Sequence, residues 1–439
     1  MSGVGTVAEP ITFSEFTELM RPLEPFETAP NIAVACSGGP DSMALLVLAQ
    51  GWVKSAGGKL TALIVDHRLR DESTAEAENV ARRARELGVE AVILAWLGER
   101  PSANVQEKAR DARYRLLFEW CAENAVLHLL VAHHRDDQAE TVLLRDERGS
   151  GDDGLAGIGA LQEYGQVRLL RPLLPLAKAR LQATADAFRV ETVDDPSNDD
   201  TRFDRVRVRK HLERSSAADE WYEVGLKASV RRRVRDDTMA RHFAANCETY
   251  SEGYARLFGG FWGDTSDEIA KRALSAVVAA IGGRSHPPRR RKVTELFEKL
   301  KGGRLAGGTT SGGCKIVPDK DGVLVVREIG LVAQQAIAVG RVKWDGRFDI
   351  DTENSELDCR IGTLGTSGLR AILDDQPELR LDHLPRRVLE TLPAVWALER
   401  VIEVPHLCYS CKVQSGIGKI VRKICFAPVR PIQATRFTI

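Results

Sequence analysis

One short segment, CSGGPDS at Cys36–Ser42, has residue types suited to binding the phosphates of a nucleotide. It follows an apolar run, NIAVAC, that is typical of a buried strand, and it precedes a run that is typical of a helix. Gly38 and Gly39 would let the backbone approach an anion closely. Backbone N–H groups at the start of the helix, with the hydroxyls of Ser37 and Ser42, could then donate hydrogen bonds to phosphate oxygens. The segment therefore predicts a phosphate-binding loop.

Two residues of this segment bear on a simpler interpretation. Pro40 suits the first position of a helix and Asp41 the positive end of the helix dipole, so an ordinary strand-to-helix turn is the alternative. An aspartate among phosphates, however, repels them unless a divalent cation lies between. Asp41 therefore favours a nucleotide that brings Mg²⁺ with it. The chain lacks the G-x-x-x-x-G-K-[ST] pattern, so this is not a Walker loop.

A second segment, VAHHRDDQAETVLLR, combines histidine and carboxylates at the junction of a predicted strand and helix. His133 lies at the end of the strand, and Asp136, Asp137 and Glu140 fall in the first turns of the helix. Acids spaced three and four residues apart share one helix face. This pattern favours a site for a metal ion or a cationic substrate. The alternative is a set of acids that satisfies the helix dipole, and zinc would need a third clear ligand.

The elements that carry these segments alternate along the chain. From about residue 30, short apolar runs such as LTALIVDH alternate with amphipathic helical runs, which predicts an α/β fold: a doubly wound parallel sheet with helices on both faces. Ligands in such folds bind beyond the carboxyl ends of the strands, where both segments fall. Arg113, on a predicted helix between them, could face the same crevice as Asp137. The predicted domains are residues 28–214, a mainly helical region 215–330 and a small mixed α+β region 331–439.

Composition restricts the classes of protein that remain. The chain has 439 residues, 43% hydrophobic and 28% charged, and no apolar run that could span a bilayer. Its first residues lack a signal or transit pattern, so we expect a soluble, cytoplasmic protein without a membrane partner. The eight cysteines are scattered, and Cys408 and Cys411 form a single C-x-x-C pair. Reduced thiols and no structural zinc are expected.

Charge is balanced overall but not along the chain. There are 62 basic and 62 acidic residues, yet RFDRVRVRKHLER, RRRVR and RSHPPRRRK are strongly basic. Any one of these clusters could be a solvated helix face. Three in one region favour a polyanionic partner such as a nucleic acid.

Taken in order, these segments resemble a known family. The loop SGGPDS resembles the signature of the N-type ATP pyrophosphatases, or PP-loop family. The segments VDHRLRDESTAEAENVARRARELGV, ARDARYRLL, AHHRDDQAETVLLR, RGSGDDGLAGI, RLLRPLL and VDDPSNDDTRFDRVRVR are similar to the successive blocks of the tRNA(Ile)-lysidine synthetases. RSHPPRRRKVTELFEKLKGG resembles the tRNA-contacting region of that family.

The resemblance implies a PP-loop fold of the adenine nucleotide alpha-hydrolase-like type and an ATP-dependent ligase. Its partners would be free L-lysine and tRNA(Ile) with a CAU anticodon, whose wobble cytidine is adenylated and then joined to lysine. ATP with Mg²⁺ would be the cosubstrate, with no tightly bound organic cofactor. Protein partners are unknown, and a homodimer is one arrangement that the sequence leaves open.

The resemblance also implies roles for individual residues. The implied catalytic residues are Asp41, Asp137, Glu140 and Arg113. ATP would be bound by Ser37, Gly38, Gly39, Pro40, Asp41, Ser42, Asp66, His67 and His133. The tRNA would be bound by Arg205, Arg207, Arg209, Arg289, Arg290 and Arg291. Magnesium would be held by Asp41 and Asp136.

Two rival functions stay open at this point. A PP-loop tRNA thiolating enzyme would share the adenylation step, but it normally needs cysteines near the crevice, and Cys36 and Cys121 form no C-x-x-C pair. A nucleic-acid-binding protein without catalysis would keep only the basic clusters. The intact loop and the acids of the second segment argue against it.

Overall fold

The structure is a computed structural model that describes residues 8–68, 72–98, 105–192, 204–305, 307–333, 335–338, 340–353, 358–379, 381, 383–411, 419–432 and 436–437. The chain forms two compact units, Met1–Val234 with Thr435–Ile439, and Arg235–Ala434. The predicted boundaries after residues 214 and 330 stay predictions.

Strands and helices are numbered in chain order within the described ranges. The strands are β1 (Asn31–Ala35), β2 (Lys59–Asp66), β3 (Glu90–Ala95), β4 (His128–Leu130), β5 (Leu161–Tyr164), β6 (Val167–Leu170), β7 (Cys247–Tyr250), β8 (Tyr254–Phe258), β9 (Thr309–Ser311), β10 (Cys314–Asp319), β11 (Gly322–Arg327), β12 (Ala336–Ile337), β13 (Gly340–Trp344), β14 (Phe348–Thr352), β15 (Cys359–Thr363), β16 (Pro393–Ala397), β17 (Arg400–Val404), β18 (Tyr409–Ser410), β19 (Val421–Phe426) and β20 (Arg436–Phe437). The helices are α1 (Phe13–Met20), α2 (Pro40–Ser55), α3 (Ser73–Glu86), α4 (Val105–Glu123), α5 (Arg135–Glu147), α6 (Asp152–Leu155), α7 (Lys178–Ala187), α8 (Asp204–Ser215), α9 (Ala218–Asn246), α10 (Asp267–Ile281), α11 (Arg290–Lys301), α12 (Gly365–Asp375) and α13 (Arg386–Leu389).

The first unit is built on a sheet in the order β20-β5-β6-β4-β1-β2-β3. Strand β1 is parallel to both β2 and β4, β2 is parallel to β3, and β4 is parallel to β6. Within the described ranges, only β5 runs opposite to the other strands of this sheet; it pairs antiparallel with β6 on one side and with the edge strand β20 on the other. The strand order reverses between β1 and β4, so their carboxyl ends form the topological switch point at which such sheets bind ligands. This confirms the predicted doubly wound α/β fold.

Apolar residues of β1 explain why helices cover both faces of this sheet. Ile32 and Val34 are fully buried in a core that also contains α2, while Ala33, between them, is buried in a second core with Leu117 of α4. Successive residues of a strand point to opposite faces, so a continuous apolar run requires two covered faces. The cores hold the carboxyl end of β1 against the start of α2.

The second unit contains three antiparallel sheets, in the orders β7-β8-β11-β10-β9, β12-β15-β16-β17-β18 and β13-β14-β19. Helices α10 and α11 pack on the first of them. The strands from β12 onward, together with α12 and α13, agree with the small mixed α+β region expected at the end of the chain. The hairpin of β7 and β8 was not anticipated, because CETY is only partly buried and has no clear alternation of apolar and polar residues. Within the described ranges, no helix combines the length and the apolar character needed to cross a membrane.

Candidate nucleotide and amine site at the switch point

The loop after β1 has a backbone suited to anion binding. Gly38 has φ of +85°, a left-handed conformation that other residues adopt only with strain. Gly39 is the N-cap of α2, Pro40 is the first helical residue, and no side chain caps the helix. The first N–H groups of a helix have no partner within the helix, so here they can donate to an anion. The helix dipole adds to the attraction.

Ser37 and Ser42 differ in their surroundings. The hydroxyl of Ser42 is buried, accepts hydrogen bonds from the Ser37 amide at 3.2 Å and the Ser37 hydroxyl at 3.3 Å, and donates to the Gly39 carbonyl at 3.0 Å. Ser42 therefore braces the loop, whereas Ser37 is exposed. The direct phosphate contacts predicted for both serines stay predictions.

His134 connects this loop with the second segment. It is 4% exposed, and its Nε2 lies 3.6 Å from Oδ2 of Asp41 and 3.5 Å from Oδ2 of Asp137, while its Nδ1 lies 3.5 Å from Oδ2 of Asp136. It is also the N-cap residue of α5, and its amide donates to the Asp137 carboxylate at 3.1 Å. One imidazole thus lies among three carboxylates from both sides of the switch point.

These carboxylates determine the charge of the ring. Burial alone would favour neutral His134, but its hydrogen bonds to Asp136 and Asp41 and the charge of Asp137 outweigh burial and raise its pKa to about 10. Burial also opposes ionisation of Asp136, yet His134 and the Lys178 amide lower the pKa of Asp136 to about 2. At neutral pH the ring of His134 is therefore an imidazolium, and Asp136 beside it is a carboxylate.

This imidazolium predicts a pH dependence of stability. Because the pKa of His134 rises from 6.5 to about 10 on folding, its protonation stabilises the folded state fully below pH 6.5, and that contribution is lost as the pH rises towards 10. We expect the difference in free energy of unfolding between wild type and His134→Gln to shrink across that window in urea titrations. A difference that stays constant would contradict a charged ring.

Glu140 occupies a different environment from Asp137. Its carboxylate is 2% exposed and accepts hydrogen bonds from Nε of Arg209 at 2.6 Å and from Nη2 of Arg209 at 3.4 Å, and Nε of Arg205 lies 3.4 Å away. Arg205 and Arg209 are neighbours on one face of α8. Two of the three α8 arginines predicted to meet tRNA thus bind an acid of α5, whereas Arg207 is 59% exposed beside Asp204.

Asp137 is the less enclosed of the two acids. Its side chain is 15% exposed, and its Oδ1 lies 3.9 Å from Arg205. Burial raises the pKa of Asp137, but the charges of His134 and Arg205 and the hydrogen bond from the His134 amide lower it by more, so the group is an anion at neutral pH. This geometry makes Asp137 the better placed acid to receive a cationic amine.

Two further residues that were predicted to bind ATP, Asp66 and His67, lie at the carboxyl end of β2 in the first unit. Asp66, at the end of β2, is 2% exposed and accepts hydrogen bonds from the Arg68 amide at 3.0 Å and the Thr74 hydroxyl at 2.8 Å, so it links the end of β2 to α3. His67 packs against Trp96, with ring centroids 6.5 Å apart. These contacts leave the predicted role of Asp66 and His67 in ATP binding as a prediction.

Arg113 lies on α4 beside the Tyr114 ring, 5.6 Å from its centroid. Its Nε is buried without a hydrogen-bond partner among the described residues, and burial lowers its pKa. No ion pair between Arg113 and Asp137 occurs within the described part of the chain. Its donor is suited to a ligand carboxylate or phosphate, and its catalytic role and its place in the crevice stay predictions.

Of the two residues predicted to hold magnesium, Asp41 has a carboxylate oxygen that fits this role. Oδ1 of Asp41 is buried without a hydrogen-bond partner among the described residues, which suits an oxygen ligand for a nucleotide-borne Mg²⁺. Asp136 lies at the opposite nitrogen of His134, and its Oδ2 also accepts the Lys178 amide at 2.9 Å. The predicted role of Asp136 as a magnesium ligand stays a prediction.

Arginines of the second unit lie around the start of α11. Arg289 is the N-cap of that helix, and Arg290 and Arg291 follow it, all three exposed. Arg291 is 83% exposed and lies 3.1 Å from Glu295. These side chains are accessible to a polyanion.

Two residues of the site were not identified from the sequence. His134 was assigned no role, although a histidine three residues before Asp137 is the spacing of a capping box. Arg171, 4% exposed after β6, donates from Nε to Nδ1 of His133 at 3.3 Å. Its signal in RLLRPLL, a charged residue next to a buried strand, is weak.

Comparison with known proteins bears on the identity of the chain. The family model of the PP-loop domain matches residues 9–215. The tRNA(Ile)-lysidine synthase of Wolbachia sp. subsp. Brugia malayi is 33% identical, covering 88% of this chain and 91% of that protein. The tRNA(Ile)-lysidine synthase of Ruegeria pomeroyi is 33% identical, covering 85% of this chain and 88% of that protein. The enzyme of that name from Rhodopseudomonas palustris is 39% identical, covering 65% and 84%.

A solved structure, the U34-tRNA thiolase NcsA from Methanococcus maripaludis, shares 18% identity and a TM-score of 0.44, covering 50% of this chain and 79% of that chain. That distance carries no argument about the reaction. A PP-loop domain with this site makes the chain an ATP-using ligase. Since relatives match it over most of both lengths, the chain belongs to the tRNA(Ile)-lysidine synthase family, ATP-dependent enzymes of tRNA modification.

Proposed function

We propose that this enzyme joins free L-lysine to C2 of the wobble cytidine in tRNA(Ile) with a CAU anticodon. One observation carries the proposal. His134 lies between Asp41 of the phosphate loop and Asp137 of the acidic helix, within 3.6 Å of both. A nucleotide at the loop and an amine at the acids would therefore share one site. The family membership of the chain supports tRNA(Ile) as the acceptor.

The reaction would proceed in two steps. The C2 oxygen of cytidine attacks the α-phosphate of ATP, and pyrophosphate leaves with the electron pair of the broken P–O bond. The lysine side-chain nitrogen then attacks C2, and the C2 oxygen leaves as part of AMP. Adenylation is needed because the unmodified oxygen is a poor leaving group. Magnesium held by Asp41 would spread the charge that develops on the phosphoryl group.

The residues have distinct tasks in this scheme. The loop with Gly38 holds the pyrophosphate end through backbone N–H groups. A lysine ammonium, with a pKa of about 10.4, must lose a proton before it can attack. We assign amine binding and proton acceptance to Asp137, because Glu140 is enclosed by two guanidinium groups. Arg113 would bind the lysine carboxylate or a phosphate.

Flipping of the wobble base is inexpensive, because the anticodon loop is single-stranded. The exposed Arg207 is the α8 arginine best placed for the tRNA backbone. A cytoplasmic location, the absence of further cofactors and a homodimer stay predictions.

The purified full chain incubated with ATP, Mg²⁺, labelled lysine and tRNA(Ile) transcript tests this function. We expect lysine in the tRNA with stoichiometric AMP and pyrophosphate. A transcript with uridine at the wobble position is the matched control. Sulfur incorporation instead of lysine would support a thiolating enzyme, and tRNA binding without AMP release would support a non-catalytic binding protein. Either result would overturn the proposal.

The two acids of α5 should respond differently to removal of their charge. Asp137→Asn should reduce lysine transfer about 10²- to 10⁴-fold through loss of the proton acceptor. Glu140→Gln should instead lower the free energy of unfolding by about 1.5–3 kcal/mol, because it removes buried hydrogen bonds to charged groups. Urea titrations and single-turnover assays would measure both. Glu147→Gln, exposed on the same helix, is the control. The reverse pattern would exchange the two roles.

The arginines around α11 should affect tRNA affinity through charge alone. Replacing Arg289, Arg290 and Arg291 together with Gln should weaken tRNA binding. It should also reduce the slope of log K against log salt by about 0.7–0.9 for each phosphate that the variant no longer neutralises. Filter binding across a salt series measures the slope.

The matched control for this variant removes three exposed arginines of the same unit whose charges are already paired: Arg360, Arg386 and Arg422. The control should keep the wild-type slope. An unchanged slope in the α11 variant would remove that cluster from the tRNA interface.

A further inference from the structure

Arg171 is a buried arginine without a carboxylate partner among the described residues. It is 4% exposed and follows β6 directly. Its Nη1 donates to the Gly159 carbonyl at 2.6 Å, and its Nε donates to Nδ1 of His133 at 3.3 Å. Burying a guanidinium is costly unless its donors are used. Its position beside His133 at the switch point therefore suggests a role in the site.

The direction of this hydrogen bond determines the state of the imidazole. A guanidinium only donates, and in proteins it stays protonated. Nδ1 of His133 must therefore present its lone pair to Arg171, and the proton of the neutral ring is on Nε2. In this tautomer Nε2 carries the proton, and the lone pair on Nδ1 is engaged by Arg171, so neither ring nitrogen is free to accept a further proton. His133 is thus a hydrogen-bond donor and not a base.

The surroundings of His133 also favour the neutral ring. Burial lowers its pKa well below the ordinary value, the charge of Asp137 opposes this, and the charges of Arg171, Arg110 and Arg205 lower it further. The same three cations make the region around His133 favourable for an anion. A neutral N–H donor there suits a phosphate oxygen.

We propose that Arg171 is a positioning residue that holds His133 with Nε2–H as the donor to an ATP-derived phosphate. The identity of the anion rests on the proposed function, whereas the orientation and tautomer of the ring do not. The proposal makes His133 a hydrogen-bond donor, which leaves proton acceptance with Asp137. It also gives a role to RLLRPLL, which the proposed function did not use.

Nitrogen NMR of ¹⁵N-histidine-labelled full chain tests the tautomer directly, with His133→Gln to assign the signals. In the wild type we expect His133 to show a protonated Nε2 and an unprotonated Nδ1 across neutral pH. In Arg171→Met the pKa of His133 should rise, because one cation is removed, and the proton of the neutral ring should no longer be confined to Nε2, because Nδ1 loses its donor. Arg171→Lys, which keeps the charge but has a single donor group, should restore the wild-type state only in part.

Arg168→Met is the matched control. Arg168 lies within β6, the strand that Arg171 follows. It donates to two backbone carbonyls and lies 3.4 Å from Nδ1 of His128. This variant should change the signals of His128 and leave those of His133 unchanged.

Activity gives a second readout. Arg171→Met should lower kcat for pyrophosphate release about tenfold or more, as expected for loss of a positioned donor, with the KM for lysine unchanged. A wild-type ring protonated on Nδ1 at neutral pH would overturn the proposal, even if Arg171→Met does not fold. So would a His133 signal that Arg171→Met leaves unchanged. Absence of lysine transfer by the wild type would overturn the proposed function but not the tautomer.

Discussion

Asp41→Asn is expected to abolish ATP turnover while the fold stays intact. The substitution keeps the shape of the side chain but removes the charge that would hold a nucleotide-borne cation at the phosphate loop. Loss of such a preorganised interaction typically costs about 10²- to 10³-fold in kcat. The buried Oδ1 of Asp41 has no hydrogen-bond partner among the described residues, so the loss to the free protein is confined to the contact of Oδ2 with Nε2 of His134.

The measurement is pyrophosphate release with saturating tRNA and lysine, together with the melting temperature. Asp146→Asn is the matched control, because Asp146 is exposed near the C-terminal end of α5, away from His134. It should keep wild-type rates. Full activity of Asp41→Asn would exclude Asp41 from the mechanism, and a large fall in melting temperature would instead indicate a structural role.

Asp345→Asn is expected to destabilise the second unit more than any surface substitution. Asp345 accepts hydrogen bonds from Nη2 of Arg327 at 2.8 Å and from Nε of Arg347 at 2.7 Å, and the Arg347 side chain is fully buried. Removing the one carboxylate leaves two guanidinium groups without compensation in the interior. Breaking a buried ion pair in this way costs about 3–5 kcal/mol.

Asn is the suitable replacement because Asp345 has φ of +53°, which Asn tolerates better than Ala. Hydrogen exchange of the β13 and β14 amides, followed by mass spectrometry, reports on this unit. Asp358→Asn is the control, since that residue pairs with Arg360 at the surface and should change stability by less than about 0.5 kcal/mol. Equal exchange in the two variants would contradict the prediction.

The parts of the fold that follow from local chemistry could be predicted. The alternation of apolar and amphipathic runs predicted the parallel sheet, because a strand buried on both faces needs a continuous apolar run. The turn residues of CSGGPDS predicted the start of α2 at Pro40, which the structure confirms. The hairpin of β7 and β8 was missed, because two short strands without a clear pattern depend on pairing with β11.

Spacing along one strand, turn or helix is a local property, so the amino-acid sequence was enough to indicate the family, the switch-point fold and the residue types available for phosphate and amine chemistry. The partners of those residues depended on the packing of separate elements. Glu140 and Arg209 are 69 residues apart, and His133 and Arg171 are 38 apart. Such contacts form only when distant segments fold together, so Glu140 became the partner of two arginines, His134 the link between loop and acids, and His133 a donor.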